Sequence, residues 1–147
     1  LQWNVMYEPG TLEAIAYKKG KKITAKIETT GQATTVVLTP DKTILMADGK
    51  DATVVNISIT DEKGREVPTA NNQIAFTISE NAKIIGVGNG DPSSHEADTC
   101  KEGNWQRSAF NGKCQVIIQA GKNVGDIKLE AKSNGLKSGA VLLQLKK

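Results

Sequence analysis

The chain has 147 residues, of which 38% are hydrophobic, 24% charged and only 4% aromatic, with a net charge of +3. This is enough apolar material for one folded domain with an appendage, which excludes wholesale disorder. The main basic cluster, at residues 18–22, is too short for a nucleic-acid surface. We find no apolar run of roughly 18 residues, as a membrane span requires, and no signal-peptide pattern. Because the chain starts at Leu1 and not at Met, we expect it to be a piece of a longer protein.

The composition favours β-structure, since Ile, Val and Thr together make up about a quarter of the residues. Trp3, Val5 and Tyr7 alternate at period two and predict a first strand. Residues 12–17 and 23–28 predict a hairpin around the turn at Gly20. Three such strands do not hold a core alone. We therefore predict that residues 1–32 are the C-terminal strands of a preceding β-sandwich domain, followed by a linker.

From residue 33 onward, short alternating segments are separated by turns every 8–12 residues or so. In residues 52–60, for example, Thr53, Val55, Ile57 and Ile59 share one face. This pattern is typical of sandwiches, and it predicts that residues 33–147 form an immunoglobulin-like β-sandwich of seven to eight strands. The Cys–Trp–Cys spacing of antibody domains is absent from the sequence.

One connection, at residues 88–112, is unusually long for a compact domain, and such loops tend to be functional or disordered. It holds the sole His and several carboxylates, and the sequence predicts that it is a docking surface. We predict that Asn89, Asp91 and His95 make hydrogen bonds that shape it. Glu96 and Arg107 are expected near its outer rim. Trp105 is interpreted as an anchor on its own domain, with a sugar-stacking platform or an interface hot spot as the alternatives.

Other chemistries fit this connection less well. A Ser–His–Asp triad needs residues that converge from separate segments, and no glycine-flanked nucleophile is present. No pair of carboxylates is singled out for glycoside cleavage. The oxygens of Asn89, Asp91, Glu96 and Asp98 could bind calcium, although their spacing does not match an EF-hand loop. The sequence thus predicts no catalytic residues, no metal site and no cofactor.

The two cysteines lie fourteen positions apart and, with a single His, cannot complete a four-ligand zinc site without carboxylates. Cys114 shares a strand face with Val116 and Ile118, so we predict that it is buried. Cys100 belongs to the long connection. The sequence allows a disulfide between the two cysteines but slightly favours two free thiols.

Three segments resemble a known enzyme family. The run WNVMYEPGTLEAIAY at residues 3–17 resembles the end of the fourth domain, a β-sandwich, of glycoside hydrolase family 2 β-galactosidases. IGVGNGDPSSHE at residues 85–96 and RSAFNG at residues 107–112 resemble the fifth, C-terminal domain of the same Bacteroides-like enzymes. Ala97 departs from that pattern, in which Pro is common after the His–Glu pair. The framework strands also resemble bacterial immunoglobulin-like domains of the invasin type.

The resemblance implies a non-catalytic accessory module of a β-galactosidase-like enzyme that is exported to the periplasm or secreted. The module is expected to serve architecture, domain docking or substrate access. The family's catalytic glutamates lie in an upstream barrel, and no residue of this chain matches their motifs. The expected partners are other domains or subunits of the parent enzyme, with a carbohydrate also considered, but no nucleic acid or membrane. The alternative function is an adhesin-type or carbohydrate-binding immunoglobulin-like module, and a calcium-stabilised spacer is a third.

Overall fold

The structure, a computed structural model, describes residues 2–100 and 103–147, and within these ranges it contains β-strands and no helix. Consequently, no helix of the described chain could cross a bilayer. The eleven strands of this part are β1 (Thr11–Lys18), β2 (Lys21–Glu28), β3 (Thr35–Pro40), β4 (Ile44–Met46), β5 (Ala52–Thr60), β6 (Gln73–Ile78), β7 (Ala82–Gly88), β8 (Gln106–Ser108), β9 (Lys113–Ala120), β10 (Gly125–Lys132) and β11 (Gly139–Lys146).

The strands form one two-stranded and two larger sheets. β1 and β2 pair as the predicted antiparallel hairpin. The five-stranded sheet has the order β4-β11-β10-β6-β8, and the four-stranded sheet has the order β3-β5-β9-β7. Strand β4 runs parallel to β11, and the other pairings are antiparallel. The predicted all-β sandwich class is confirmed, although the two larger sheets have nine strands in the described residues rather than seven to eight.

The core lies between the two larger sheets and follows from the alternation in their strands. The predicted inner face of β5 is confirmed, since Thr53, Val55, Ile57 and Ile59 are all at most 4% exposed. The central strands β9 and β10 contribute Val116, Ile118, Ile127 and Leu129, which are fully buried. This closely packed core makes the sandwich a frame for the segments that connect its strands.

One glycine allows two segments at the end of the sandwich to come together. Gly112 has a φ of +78°, and a Cβ atom there would lie 2.4 Å from the carbonyl oxygen of Val67. Its N–H donates to the carbonyl of Ala70 at 2.8 Å, and its own carbonyl accepts from Ile59. Only glycine tolerates both the left-handed conformation and the close approach. The segment after β8 is therefore fixed against the turn at residues 68–71.

The N-terminal segment departs from its prediction. Trp3, Val5 and Tyr7 were expected to form a strand, but residues 2–10 contain no strand and these three side chains are exposed. Apolar residues do alternate in this segment, but within the described residues it has no neighbouring strand with which its backbone could pair. The division of the chain into units at residues 1–32 and 33–147 stays a prediction.

Candidate functional site

The long connection at residues 88–112 is not a simple loop. It leaves the four-stranded sheet at the end of β7, crosses to the five-stranded sheet as β8, and returns to the first sheet as β9. Strand β8 pairs with β6, with Ser108 opposite Gln73 and Arg107 opposite Ile74. The connection therefore joins the edges of both sheets, and its polar residues lie at one end of the core.

Arg107 is the centre of this region and not part of its outer rim, which corrects the sequence-based expectation. Its side chain is only 5% exposed, because directly opposed residues on paired strands point to the same face and its partner Ile74 points into the core. The guanidinium donates from Nη1 to the Glu96 carbonyl at 3.0 Å and to Asp98 Oδ1 at 2.7 Å. Nη2 donates to Asn89 Oδ1 at 3.1 Å. One buried cation thus connects three points of the connection.

Glu96 closes the same network from its accessible side. One carboxylate oxygen accepts from the Ser108 N–H at 2.8 Å, the other accepts from the Ser108 hydroxyl, and Arg107 Nε lies 3.7 Å away. The hydrogen bonds from Ser108 are the largest cause that holds the pKa of Glu96 below its usual range, with a smaller contribution from Arg107. Glu96 is therefore ionised at neutral pH, and it secures the segment before Asp98 to β8.

Asn89 and Asp91 order the first part of the connection. The Asn89 amide donates to the Ser108 carbonyl at 2.8 Å, and its Oδ1 also accepts from the Asp91 N–H at 3.0 Å. Asp91 Oδ1 accepts from the N–H and the hydroxyl of Ser93 at 2.9 and 2.7 Å. These two bonds are the main causes that lower the pKa of Asp91. Asn89 thus connects the start of the connection to β8, and Asp91 stabilises the turn that follows.

The other predicted site residues differ in their roles. The side chain of His95 is exposed and makes no hydrogen bond with any described residue, so its predicted loop-shaping bond is wrong. Trp105 is half-buried and packs against the core. Its carbonyl accepts from the Phe76 N–H, which extends the contact between β6 and the start of β8. Phe110 keeps 37% of its surface exposed.

The calcium alternative does not match this geometry. The side-chain oxygen of Asn89 and one oxygen of Asp98 accept from Arg107, and both oxygens of Glu96 accept from Ser108. A guanidinium therefore occupies the position between these oxygens that a cation would need. Within residues 2–100 and 103–147, no group of three or more acidic, His or Cys side chains could hold a metal ion.

Sequence reasoning missed the part played by Ser108. Its hydroxyl, N–H and carbonyl all serve the network, with Glu96 and Asn89 as partners. The only sequence signal for Ser108 is its place next to Arg107 in the family-like segment RSAFNG at residues 107–112. The contact joins residues twelve or more positions apart, so no local pattern indicates it.

Cys114 lies beneath the connection and is buried as predicted, with 2% of its surface exposed. Burial raises the pKa of its thiol to about 12, and nearby Arg107 opposes this only weakly. Cys100 is half-buried, and both cysteines are free in the structure. The buried thiol therefore acts as a small apolar side chain.

A second polar cluster joins the hairpin to the sandwich. Asp61, 3% exposed, accepts from Arg65 Nε at 2.9 Å and from Nη2 at 2.6 Å. It also accepts from the backbone N–H of Gly31 at 2.8 Å. Arg65 Nη1 reaches Glu28, at the end of β2, at 3.1 Å. The Arg65 hydrogen bonds are the largest cause that holds the pKa of Asp61 well below its usual range.

In the described part of the chain, no layer covers one apolar face of the hairpin. Antiparallel pairing places Leu12 opposite Ile27 and Ala16 opposite Ile23. Leu12, Ile23 and Ile27 are between 51% and 73% exposed. Where the hairpin approaches the sandwich, a cleft of about 920 Å³ continues this surface and is lined by Val5 and Met6 among others. A β-hairpin with a clean apolar face normally packs that face on another layer.

These features define an all-β module with one uncovered apolar hairpin and one ordered polar connection. The model of the family described as glycoside hydrolase family 2 C-terminal domain 5 matches residues 36–142. A second model, described as a domain of unknown function, matches residues 1–24. Since the first match covers most of the chain, the chain belongs to the C-terminal domains of family 2 glycoside hydrolases. The resemblance seen in the sequence is thereby confirmed.

Individual relatives agree with this assignment. The chain is 43% identical to a β-galactosidase of Bacteroides ovatus, over 95% of its own length and 16% of the relative's. It is 30% identical to a β-galactosidase of Thermoanaerobacter pseudethanolicus, over 84% of its length and 14% of the relative's. A solved glycosyl hydrolase family 2 member from Bacteroides cellulosilyticus superposes with a TM-score of 0.91 at 33% identity, over 99% of this chain and 18% of that one. The chain thus spans a small part of the relatives it matches.

Proposed function

We propose that the chain is a non-catalytic accessory module of a β-galactosidase-like glycoside hydrolase, and that it serves architecture and domain docking. The observation that carries the proposal is the uncovered apolar face of the hairpin. The small share of the relatives' length that the chain spans agrees with a module that works inside a larger enzyme.

Docking through the hairpin has a physical basis in the burial that it makes possible. Leu12, Ile23 and Ile27 are each more than half exposed, so a second layer on this face would have three large apolar side chains to cover. Complete burial of such a side chain stabilises an interface by about 1.5–3 kcal/mol. The Glu28–Arg65–Asp61 cluster then transmits the position of the docked hairpin to the sandwich, because its members span both parts.

The absence of catalysis is the second part of the proposal. The carboxylates that lie close together in the connection are engaged by Ser93, Ser108 and Arg107. A glycosidase instead needs two carboxyl groups facing each other across a sugar, one of them with a raised pKa. Glu96 and Asp91 both have lowered pKa values. We therefore expect the 147-residue chain to give no turnover of a chromogenic β-galactoside, and turnover by the pure chain would contradict the proposal.

The docking surface can be tested with two neighbouring substitutions in the full enzyme that carries this chain. Ile23 lies on the apolar face, whereas Thr24, opposite Ile15, lies on the other face. We expect Ile23→Lys to destabilise the attachment of the module by about 2 kcal/mol or more, since it removes an apolar contact and buries a charge. Thr24→Lys adds the same charge to the other face and serves as the matched control.

The measurement is the thermal unfolding midpoint of the full enzyme together with its rate of cleavage by protease in the hairpin. Ile23→Lys should lower the midpoint and speed cleavage, and Thr24→Lys should change neither. In the 147-residue chain neither substitution should have an effect, because the face is already exposed. Equal behaviour of the two variants in the full enzyme would show that this face docks nothing. The docking role predicted for residues 88–112, and the export of the parent protein, stay predictions.

A further inference from the structure

A cleft of about 550 Å³ lies beside the polar connection, between the turn at residues 68–71 and the segment at residues 89–96. Residues 108–111, at the end of β8 and just after it, also line the cleft. The volume is in the range of small-molecule sites. The cleft is lined by no described residue of β1 or β2, and its lining is polar, so it calls for an occupant of different chemistry from the hairpin face.

The lining offers hydrogen-bonding groups that the fold does not use. The side chains of Asn71, His95 and Asn111 line the cleft, and none of them makes a hydrogen bond with another residue of the described chain. Asp91 contributes a carboxylate of which only Oδ1 accepts bonds from described residues. Two carboxamides, an imidazole and a carboxylate together can both donate to and accept from a set of hydroxyl groups.

An aromatic ring complements these polar groups. Phe110 lines the cleft and packs near Gly90, where a Cβ atom would lie 3.8 Å from the ring. The part of the ring that stays exposed offers an apolar surface against which the C–H groups of a sugar can pack. Apolar contact with one ring and several directed hydrogen bonds is the combination that small polar ligands need.

The walls of the cleft are rigid before any ligand arrives. The Gly112 N–H donates a hydrogen bond to the Ala70 carbonyl, and the Ala109 N–H donates one to the Asn72 carbonyl at 2.9 Å. On the other side, the network around Arg107 holds the segment that carries Asp91 and His95. Asn111 is fixed in a left-handed conformation with a φ of 51°. A preorganised site loses little conformational entropy on binding.

The charges of the lining select among polar ligands. Asp91 and Glu96 contribute two carboxylates, whereas Arg107 lies behind the wall and its Nη donors are used by Asn89, Glu96 and Asp98. Among the described residues, no lysine or arginine lines the cleft. A uronate or a phosphate would thus be repelled by these carboxylates, because no free guanidinium or ammonium of the lining compensates for its charge. A neutral ligand would not be repelled.

We propose that this cleft binds a neutral mono- or disaccharide. Asn71, Asp91, His95 and Asn111 provide the hydrogen bonds to its hydroxyl groups, and Phe110 provides the apolar surface. The site is separate from the hairpin that the proposed function uses, so either proposal can fail without the other.

The test is a titration of the ¹⁵N-labelled 147-residue chain with lactose, followed by amide chemical shifts. We expect saturable shifts confined to residues 68–71, 89–96 and 108–112, with a dissociation constant of the order of 1 mM for a ligand of this size. D-Glucuronate, titrated in the same way, should bind at least about fivefold more weakly, because it brings a carboxylate close to Asp91 and Glu96.

Two substitutions localise the site. Asn71→Ala removes an exposed amide of the lining and should raise the lactose dissociation constant about fivefold, as expected for one lost hydrogen bond. Asn123→Ala is the matched control, since it removes an exposed amide from the turn before β10, outside the cleft. No saturable shift at about 100 mM lactose, a concentration far above the expected constant, would overturn the proposal. Glucuronate binding as tight as lactose, or equal effects of the two variants, would overturn it as well.

Discussion

Replacing Arg107 by Met tests whether the buried guanidinium holds the long connection in place. Met has an unbranched, uncharged side chain that replaces the aliphatic stem of Arg but cannot donate to Glu96, Asp98 or Asn89. The two bonds to the Glu96 carbonyl and the Asn89 amide oxygen contribute about 1–1.5 kcal/mol each. The bond to Asp98 contributes about 0.5 kcal/mol, because that carboxylate is 75% exposed and is readily hydrated.

Part of this loss is offset, since Met no longer requires the burial of a charge. We expect a net loss of about 1–2 kcal/mol, which in a domain of this size lowers the melting temperature by roughly 2–8 °C. The loss should be local, because Arg107 lies at one end of the core and all the hydrogen-bond partners of its side chain belong to the connection. Amide hydrogen exchange in residues 89–99 should accelerate about 5- to 30-fold, while exchange in β5 and β10 changes little.

Gln106→Met is the matched control for this experiment, because Gln106 lies on the same short strand with its side chain exposed. The control should leave exchange in residues 89–99 unchanged. If Arg107→Met left that exchange unchanged, or if the control accelerated it equally, the guanidinium would not be the element that orders the connection.

Two further predictions concern titratable groups. The Cys114 thiol, with its pKa raised to about 12, should resist iodoacetamide at pH 8 in the folded chain, while half-buried Cys100 reacts. In denaturant without reductant, two thiols should titrate. Labelling of Cys114 in the folded chain, or the absence of titratable thiols in denaturant, would contradict this prediction. Asp61 has a lowered pKa in the folded state, so its contribution is complete above the unfolded-state pKa of about 3.9 and is lost as the pH falls through the lowered folded value. The urea unfolding midpoint of Asp61→Asn should therefore lie below that of the native chain at pH 7, and the difference between the two midpoints should narrow below about pH 4. Glu62→Gln is the control. A difference that does not change with pH would refute the role given to the ionised Asp61 carboxylate.

The sheets could be predicted from the sequence because their signal is local and repeated. In β5 the alternating residues Thr53 to Ile59 all point into the core, and the ends of the strand match the prediction. The same holds for the hairpin, where Gly20 in the turn fixes the register of β1 and β2. Where a strand depends only on alternating apolar residues and on turn residues, its position can be predicted from the local sequence.

Strand β8 could not be predicted in this way. Its three residues include no apolar period, and it exists because β6 offers an edge more than thirty positions away in the chain. The position of Arg107 follows from that pairing, and arginine is almost never fully buried unless it is paired. Its partners come from positions 89, 96 and 98, so the burial of its charge depends on the path of the whole connection. The sequence therefore could not show that Arg107 lies at the centre of the connection.

The two surfaces of the module share a structural element, the turn at Pro68 and Thr69. Both residues line the cleft at the hairpin and the cleft beside the polar connection. The turn is held from behind by Gly112, whose close contact with Val67 leaves no room for a side chain. A layer docked on the hairpin would therefore contact one side of this turn while a sugar contacts the other. A substitution at Pro68 or Thr69 would disturb both surfaces, whereas Ile23 and Asn71 each line only one of them and can separate docking from sugar binding.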